Sequence, residues 1–344
     1  MKILAILVPI LITTSTSLAD TNYFENFSPH LATNIPIIWQ GSTNQVPRNI
    51  WIYRMGGPRI FPAAVVSNAF VLASLQGRKI PKPSTNNFVI MDEKQANYPG
   101  PRFSIFSINP GSGSVNYTMP NPVRGSDQDI PSDENIVTHA WKYAVKLGLD
   151  PKQLAQKPLT SQNCDNDENG REATNHICGR GVYLSRLLDG IAFWDNGADP
   201  GTDGFWIEFG SHGKVRCFTL SWPNLERYEN QPTASAQQII ACIRAHKIIV
   251  VPNGEEEKYF ERVKSLANAK TFTITRITPY YSEGFFGERP TNDEPSKYRP
   301  PIAELTAVAD FGNSNQTVRI VAPILQSDIA RLLANRSAAG DGKK

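Results

Sequence analysis

The run Asn49-Ile50-Trp51-Ile52-Tyr53-Arg54 is β-branched or aromatic at most positions and reads as a strand. Residues 61–76 change period: Val65, Val66, Ala69, Phe70, Leu72, Ala73 and Leu75 recur at helical spacing, and Gly77 follows as a stop. Residues 87–91 and 102–108 read as strands, Asn109-Pro110-Gly111-Ser112-Gly113 as a turn, and residues 114–119 as the strand that returns. Ser132 can cap a second helix whose stripe is Val137, Ala140, Trp141, Ala144, Val145 and Leu147, ending at Gly148. Residues 151–157 add a further turn, and a polar loop between Cys164 and Cys178 follows. Residues 181–222 are β-rich, with a hairpin signal at Asp189-Gly190 and a second hairpin across Gly210-Ser211-His212-Gly213. Helices are predicted from Ser235 through Ala245, over 255–267 and over 325–333, and strands over 271–281, 302–311 and 317–322.

Antiparallel runs of strands with helices between the runs make an α+β chain, its helices packed on one face of antiparallel sheets. The order divides into a leader (1–19), an irregular segment (20–44), an α+β module (45–130), a second module (131–335) and a tail (336–344). The two modules could be similar, although no internal repeat stands out.

The leader begins with Lys2, continues as an apolar run over 3–16, and ends in Ser17-Leu18-Ala19, small residues at the −3 and −1 positions of a cleavage site. That is the pattern of a secretory signal peptide, and the run is too short for a membrane span. The expected location is therefore secreted or periplasmic, with no transmembrane segment after cleavage. Export to an oxidising compartment changes how Cys164, Cys178, Cys217 and Cys242 are read. An even count there suggests two disulfides. Of the three pairings, Cys164–Cys178 with Cys217–Cys242 is favoured; the first closes a loop of 13 intervening residues, worth about 3 kcal/mol in the chain-entropy picture. No pair has Cys-x-x-Cys spacing, which argues against thiolate–metal and thioredoxin chemistry. Sequons stand at Asn26, Asn116, Asn315 and Asn335.

With 344 residues, 40% of them apolar, the chain can bury a real core; 35 Lys and Arg against 32 Asp and Glu leave a charge of +3, too little to mark a nucleic-acid binder.

One stretch carries a resemblance. Leu147-Gly148-Leu149 ends a helix. Val182-Tyr183-Leu184-Ser185-Arg186-Leu187-Leu188-Asp189-Gly190-Ile191 follows, then Gly210-x-x-Gly213-Lys214-Val215, Trp222-Pro223-Asn224-Leu225 and a helix opening at Ala234-Ser235. Over about residues 131–325 this rhythm resembles secreted modules of the PepSY and YycI type. The resemblance implies a helix wrapped by a curved antiparallel sheet, and an exported, non-catalytic binding, inhibitory or regulatory role. It transfers no functional residue, because the matching positions are structural.

Chemistry is sparse. Asp165-Asn166-Asp167-Glu168-Asn169-Gly170 fits the front half of a calcium loop, making Asp165, Asp167 and Asn169 candidate ligands for Ca2+. The twelfth position holds His176 where a bidentate acid is wanted, with Glu168 or Glu172 as substitutes in another geometry. A solvated turn reads equally well. Asp195, Asp199 and Asp203 make a second acidic loop that also suits turns. The histidines 30, 139, 176, 212 and 246 show no ligand spacing, and the sequence has no nucleophile elbow, P-loop or dinucleotide fingerprint. Trp194, Trp206 and Trp222 fall in the central β block, where they form either core or a shared face for sugar rings or a protein partner. The function expected is a non-enzymatic binding or regulatory module for a protein, envelope or glycan component, with no nucleic acid. The alternative is an exported hydrolase of a glycan or peptide. No catalytic residue is assigned.

Overall fold

The computed structural model describes residues 28–340 apart from 30, 33, 45, 94–102, 120–128, 167–171, 195–202, 252–262 and 283–296. For residues 92, 93, 103, 164–166, 172–176 and 335–340 it describes the backbone alone. The leader lies outside the described residues. Among them, no helix is long and apolar enough to cross a membrane.

The chain forms two compact units: an inserted unit, Arg54–Glu226, and a terminal unit made of Met1–Tyr53 with Arg227–Lys344. This differs from the expected division at 130/131. The strands before that point hydrogen-bond to strands after it, so residues 45–130 cannot close a module of their own. The crossings between units fall inside two strands, β2 (Asn49–Met55) and β12 (Leu225–Pro232).

The inserted unit starts with helix α1 (Ala63–Leu72) and then a meander, β3 (Phe88–Glu93), β4 (Phe103–Asn109) and β5 (Ser114–Thr118). Helix α2 (Asp133–Lys146) and a 3-10 turn (Pro151–Gln153) precede β6 (Leu159–Asn166) and β7 (Glu172–Ser185). A two-residue hairpin, β8 (Leu187–Leu188) with β9 (Ile191–Ala192), turns at Asp189 and Gly190, both with positive φ, as the Asp-Gly signal requires. β10 (Gly204–Phe209) and β11 (Val215–Ser221) complete the sheet. Its order is β3-β4-β5-β11-β10-β7-β6, antiparallel throughout.

Alternation decides which face is covered. Phe205, Ile207 and Phe209 of β10, Phe218 and Leu220 of β11, Val115 and Tyr117 of β5 and Val182 and Leu184 of β7 are buried together with Val66, Ala69 and Phe70 of α1 and Ile136, Ala140 and Ala144 of α2. Phe70 meets the ring of Phe106 edge-on at 4.8 Å. Both helices thus pack on one face, as the α+β reading expected. The apolar stripe supplies most of their stability; each fully buried Leu, Ile or Phe contributes about 1.5–3 kcal/mol. Ser132 takes the N-cap position of α2 in extended conformation, but its side chain makes no cap bond.

The terminal unit carries β1 (Ile37–Trp39), α3 (Ala236–Arg244), β13 (Ile249–Val250), β14 (Thr271–Tyr281), β15 (Tyr298–Arg299), β16 (Pro301–Asp310), β17 (Asn315–Pro323) and α4 (Gln326–Gly340). Its five-stranded sheet runs β1-β14-β16-β17-β13, antiparallel except where β1 joins β14 in parallel. A three-stranded sheet runs β12-β2-β15. Ser235 opens α3 with a capping box closed by Gln238. On β16 the buried Glu304 receives two hydrogen bonds from Arg319 of β17, at 3.1 and 2.6 Å.

Two expectations about the cysteines meet the structure here. Cys217 and Cys242 are not joined: Cys217 lies in β11 of the inserted unit, Cys242 in α3 of the terminal unit, and both are free thiols. Cys164 sits in β6 across from Ile177, but its side chain lies outside the described residues, and with it the Cys164–Cys178 pair. The stretch read as a polar loop around Cys164 is in fact bounded by strand, since β6 and β7 pair from Leu159–Tyr183 to Asn166–Glu172. The sequence hid β6 because its Thr160, Ser161, Gln162 and Asn163 are all exposed at the sheet edge and show no alternation.

Candidate functional site

Two features of the inserted unit are more than core. The first is a cleft of about 640 Å3 where the C-terminal ends of α1 and α2 meet the strands β5 and β11. Its volume falls in the range of small-molecule sites. Tyr117 and Val215 of the sheet form the floor, Leu72 and Leu147 the sides, and Val71, Met119 and Tyr143 the mouth. Val71 is 55% exposed although it belongs to an apolar helix. Asn68, Ser74, Lys146 and Lys214 stand on the rim.

The helix ends that border this cleft are built alike. In α1 the amides of Ser74 and Leu75 bond the carbonyls of Val71 and Phe70; in α2 those of Gly148 and Leu149 bond Val145 and Ala144. This is the Schellman arrangement, with a left-handed residue one position past the cap. Gly148 takes it at φ 78°, and Ser74 takes it at φ 54° without being a glycine. Side chains add to these bonds: the Asn68 amide donates to Lys146 O at 2.5 Å and the Gln76 amide is a second donor to Val71 O at 3.2 Å. The Lys146 ammonium lies 5.7 Å from the Tyr143 ring centre. Among the described residues neither Lys146 nor Lys214 pairs with a carboxylate, and the cleft lining contains no acid.

The second feature lies on the face of the same sheet opposite α1 and α2. The register of β10 with β11 slips between Glu208–Cys217 and Phe209–Val215, leaving Arg216 as an extra residue. The bulge turns Arg216 away from the core side its parity would give it. Its guanidinium reaches Glu208 at 2.9 Å and donates to Cys178 O at 2.8 Å. Glu208, 4% exposed, also accepts from the Asn163 amide at 2.6 Å and from the Cys217 thiol at 3.5 Å. Gly179 and Gly181 of β7 make the floor of this nest. A Cβ on Gly179 would sit 2.5 Å from the Glu208 carboxylate, and one on Gly181 would sit 3.1 Å from the Trp206 ring nitrogen. Burial, and after it the Glu208 charge, pushes the Cys217 thiol far above its ordinary pKa, so it is no thiolate nucleophile at neutral pH. This nest has the design of a structural anchor.

The candidate residues from the sequence scatter. Trp194 and Trp222 are buried, and the Arg186 guanidinium covers the Trp222 ring at 4.6 Å. Trp206 is half-buried on the face opposite α1 and α2. The three do not form a shared exposed ligand face; the core claimed two of them because each packs at a strand end where apolar area is enclosed. For calcium, the backbone of Asp165 belongs to β6, whereas Asp167 and Asn169 lie outside the described residues. Asp203 is buried, with its carboxylate accepting from Ser221 at 3.1 Å, and Asp195 and Asp199 lie outside the described residues. Among the described residues, no three His, Cys, Asp or Glu side chains gather in a metal-binding group. His212 approaches Asp129 at 3.2 Å in an exposed turn, and His246 ends α3 at φ 58° with its ring near Pro29 O. The cleft residues were invisible as a set. Lys146 and Lys214 are 68 positions apart in the chain, and only Lys146 at the end of a helix carries a local signal.

No family model matches the chain, and no curated protein matches it in sequence; the PepSY and YycI likeness therefore stands as a resemblance. Among solved structures the chain is similar to the YpeB C-terminal domain of Bacillus megaterium, with 13% identity over 79% of this chain and 100% of that chain and a TM-score of 0.30. A superposition of that quality leaves the functional reading to the chain's own residues.

Proposed function

We propose that the protein is an exported, non-enzymatic binding or regulatory module and that the cleft between α1, α2 and the sheet is its ligand site. The observation that carries this reading is the cleft itself: a mostly apolar concavity with a tyrosine floor, rimmed by a few polar groups, built on two helix ends locked by hydrogen bonds. The leader pattern over 1–19 supports export. The hydrolase alternative needs a nucleophile beside a base. Among the described residues, the titratable groups in the cleft are two lysines and two tyrosines, which suit recognition better than bond cleavage.

The test uses N-phenyl-1-naphthylamine, an uncharged fluorophore that brightens in apolar sites. The full chain should bind it saturably at one site, and Val71→Trp, which fills the mouth, should abolish that binding with the circular dichroism unchanged. Binding that survives Val71→Trp, or no saturable binding at all, would sink the proposal.

A further inference from the structure

Resting on that cleft as the ligand site, we infer that its ligand is a small amphipathic organic anion: an aliphatic body ending in one carboxylate. Three observations converge on this class. The walls are aliphatic and aromatic, from Val71, Leu72, Met119, Leu147 and Val215 over the Tyr117 floor. An apolar body is therefore what they desolvate best. Two ammonium groups, Lys146 and Lys214, stand on the rim without carboxylate partners among the described residues, and none of the described residues that line the cleft is an acid that would reject an anion. A cation would meet like charge from both lysines, whereas a carboxylate would gain charge-assisted hydrogen bonds.

The obvious objection is that helix C-termini are partly negative and repel anions. Here local donors offset part of that field: Phe70 O, Val71 O, Ala144 O, Val145 O and Lys146 O accept from the amides of Leu75, Ser74, Leu149, Gly148 and Asn68, with Gln76 a second donor to Val71 O. The formal charges carried by the described lining residues are both positive. The stacking of Lys146 over Tyr143 keeps its ammonium near the opening, and exposed Lys214 is the second cation of the lining. The geometry thus reads head-out and tail-in: carboxylate between the lysines, chain along Leu72 and Val215 toward Tyr117.

Dodecanoate, 1-dodecanol and dodecyltrimethylammonium share a chain and differ in head-group charge. Each is added below its micellar concentration to the full-length protein, both by calorimetry and by displacement of N-phenyl-1-naphthylamine. Dodecanoate should bind at least tenfold tighter than either of the others. In Lys146→Gln/Lys214→Gln that preference should collapse to within about threefold while the uncharged fluorophore still binds, which also shows that the variant is folded. Equal binding of the three amphiphiles, or a preference that survives in the double variant, overturns the assignment of an anion while leaving the cleft as a site. Absence of calorimetric heat and of fluorophore binding in the native chain overturns both.

Discussion

Arg216 reaches the buried carboxylate of Glu208 at 2.9 Å because a bulge gives β11 one residue more than β10. Strict alternation would have aimed the guanidinium among Phe209, Phe218 and Tyr117. The extra residue instead sets Arg216 and Cys217 side by side above Glu208. Removing one partner strands a charge that is nearly out of water. Arg216→Leu should therefore lower unfolding free energy by about 3–5 kcal/mol, and so should Glu208→Leu. The double change Glu208→Leu/Arg216→Leu should cost clearly less than the two single changes added together. Urea denaturation of the four proteins checks this, and simple additivity would show that the pair is not coupled.

The β4–β5 turn depends on one glycine in a way the sequence only half reveals. Gly113 has φ 65°, donates its amide to Pro110 O and receives the Trp222 amide on its own carbonyl. A Cβ here would run into the backbone of Pro223. Gly113→Ala should thus destabilise the chain by about 2 kcal/mol or more, from the left-handed φ and the collision together. Gly77→Ala is the comparison: its φ of 95° is also glycine-like, yet nothing stands within 4 Å of its Cβ position. The gap between their thermal midpoints measures the collision alone, and equal midpoints would mean that Pro223 yields freely.

Much of the fold could be read from such local signals. The Asp189-Gly190 turn, the stop at Gly148, the stripe of α2 and the alternation of β10 each follow from one short stretch of chain. What escaped was set by partners far away in sequence. The strands β6 and β12 are polar on both exposed sides, and only their neighbours β7 and β2 make them strands. The pairing expected for Cys217 and Cys242 followed from compartment and parity of count, yet helix α3 buries Cys242 in a different unit from β11. Trp222 stood between core and ligand face because exposure is not written in a tryptophan. The cleft draws on two helix ends and two strands, so no window of sequence contains it.

Ser74 holds a backbone conformation that costs a residue with a Cβ about 1 kcal/mol, and it does so to close α1 as Gly148 closes α2. Ser74→Gly should raise stability by about 0.5–1 kcal/mol, and Gly148→Ala should lower it by about 1 kcal/mol or more. Thermal unfolding reads both. The sign matters more than the size: a destabilising Ser74→Gly would mean that the hydroxyl does something at the cleft rim beyond occupying the cap.

Cys242 links stability to pH. Burial on the inner side of α3 pushes its thiol pKa up to about 12, with Lys247 acting in the opposite direction. The folded chain therefore holds this proton more tightly than the unfolded chain, in which a thiol ionises near pH 8.5. A pKa raised on folding contributes stability that is fully present below the unfolded value and is lost as pH climbs toward the folded one. The half-buried Tyr280, raised first by desolvation and then by Glu304, adds to the same slope at higher pH. The urea midpoint should hold between pH 6 and 8 and fall steadily from pH 8.5 to 10.5. Cys242→Ala loses about 1 kcal/mol at pH 7 from the vacated volume, but its fall over the alkaline window should be shallower, because the unfolded state no longer gains from thiolate formation there. If native and variant lose the same amount between pH 8.5 and 10.5, the proton on Cys242 is not what the folded state protects.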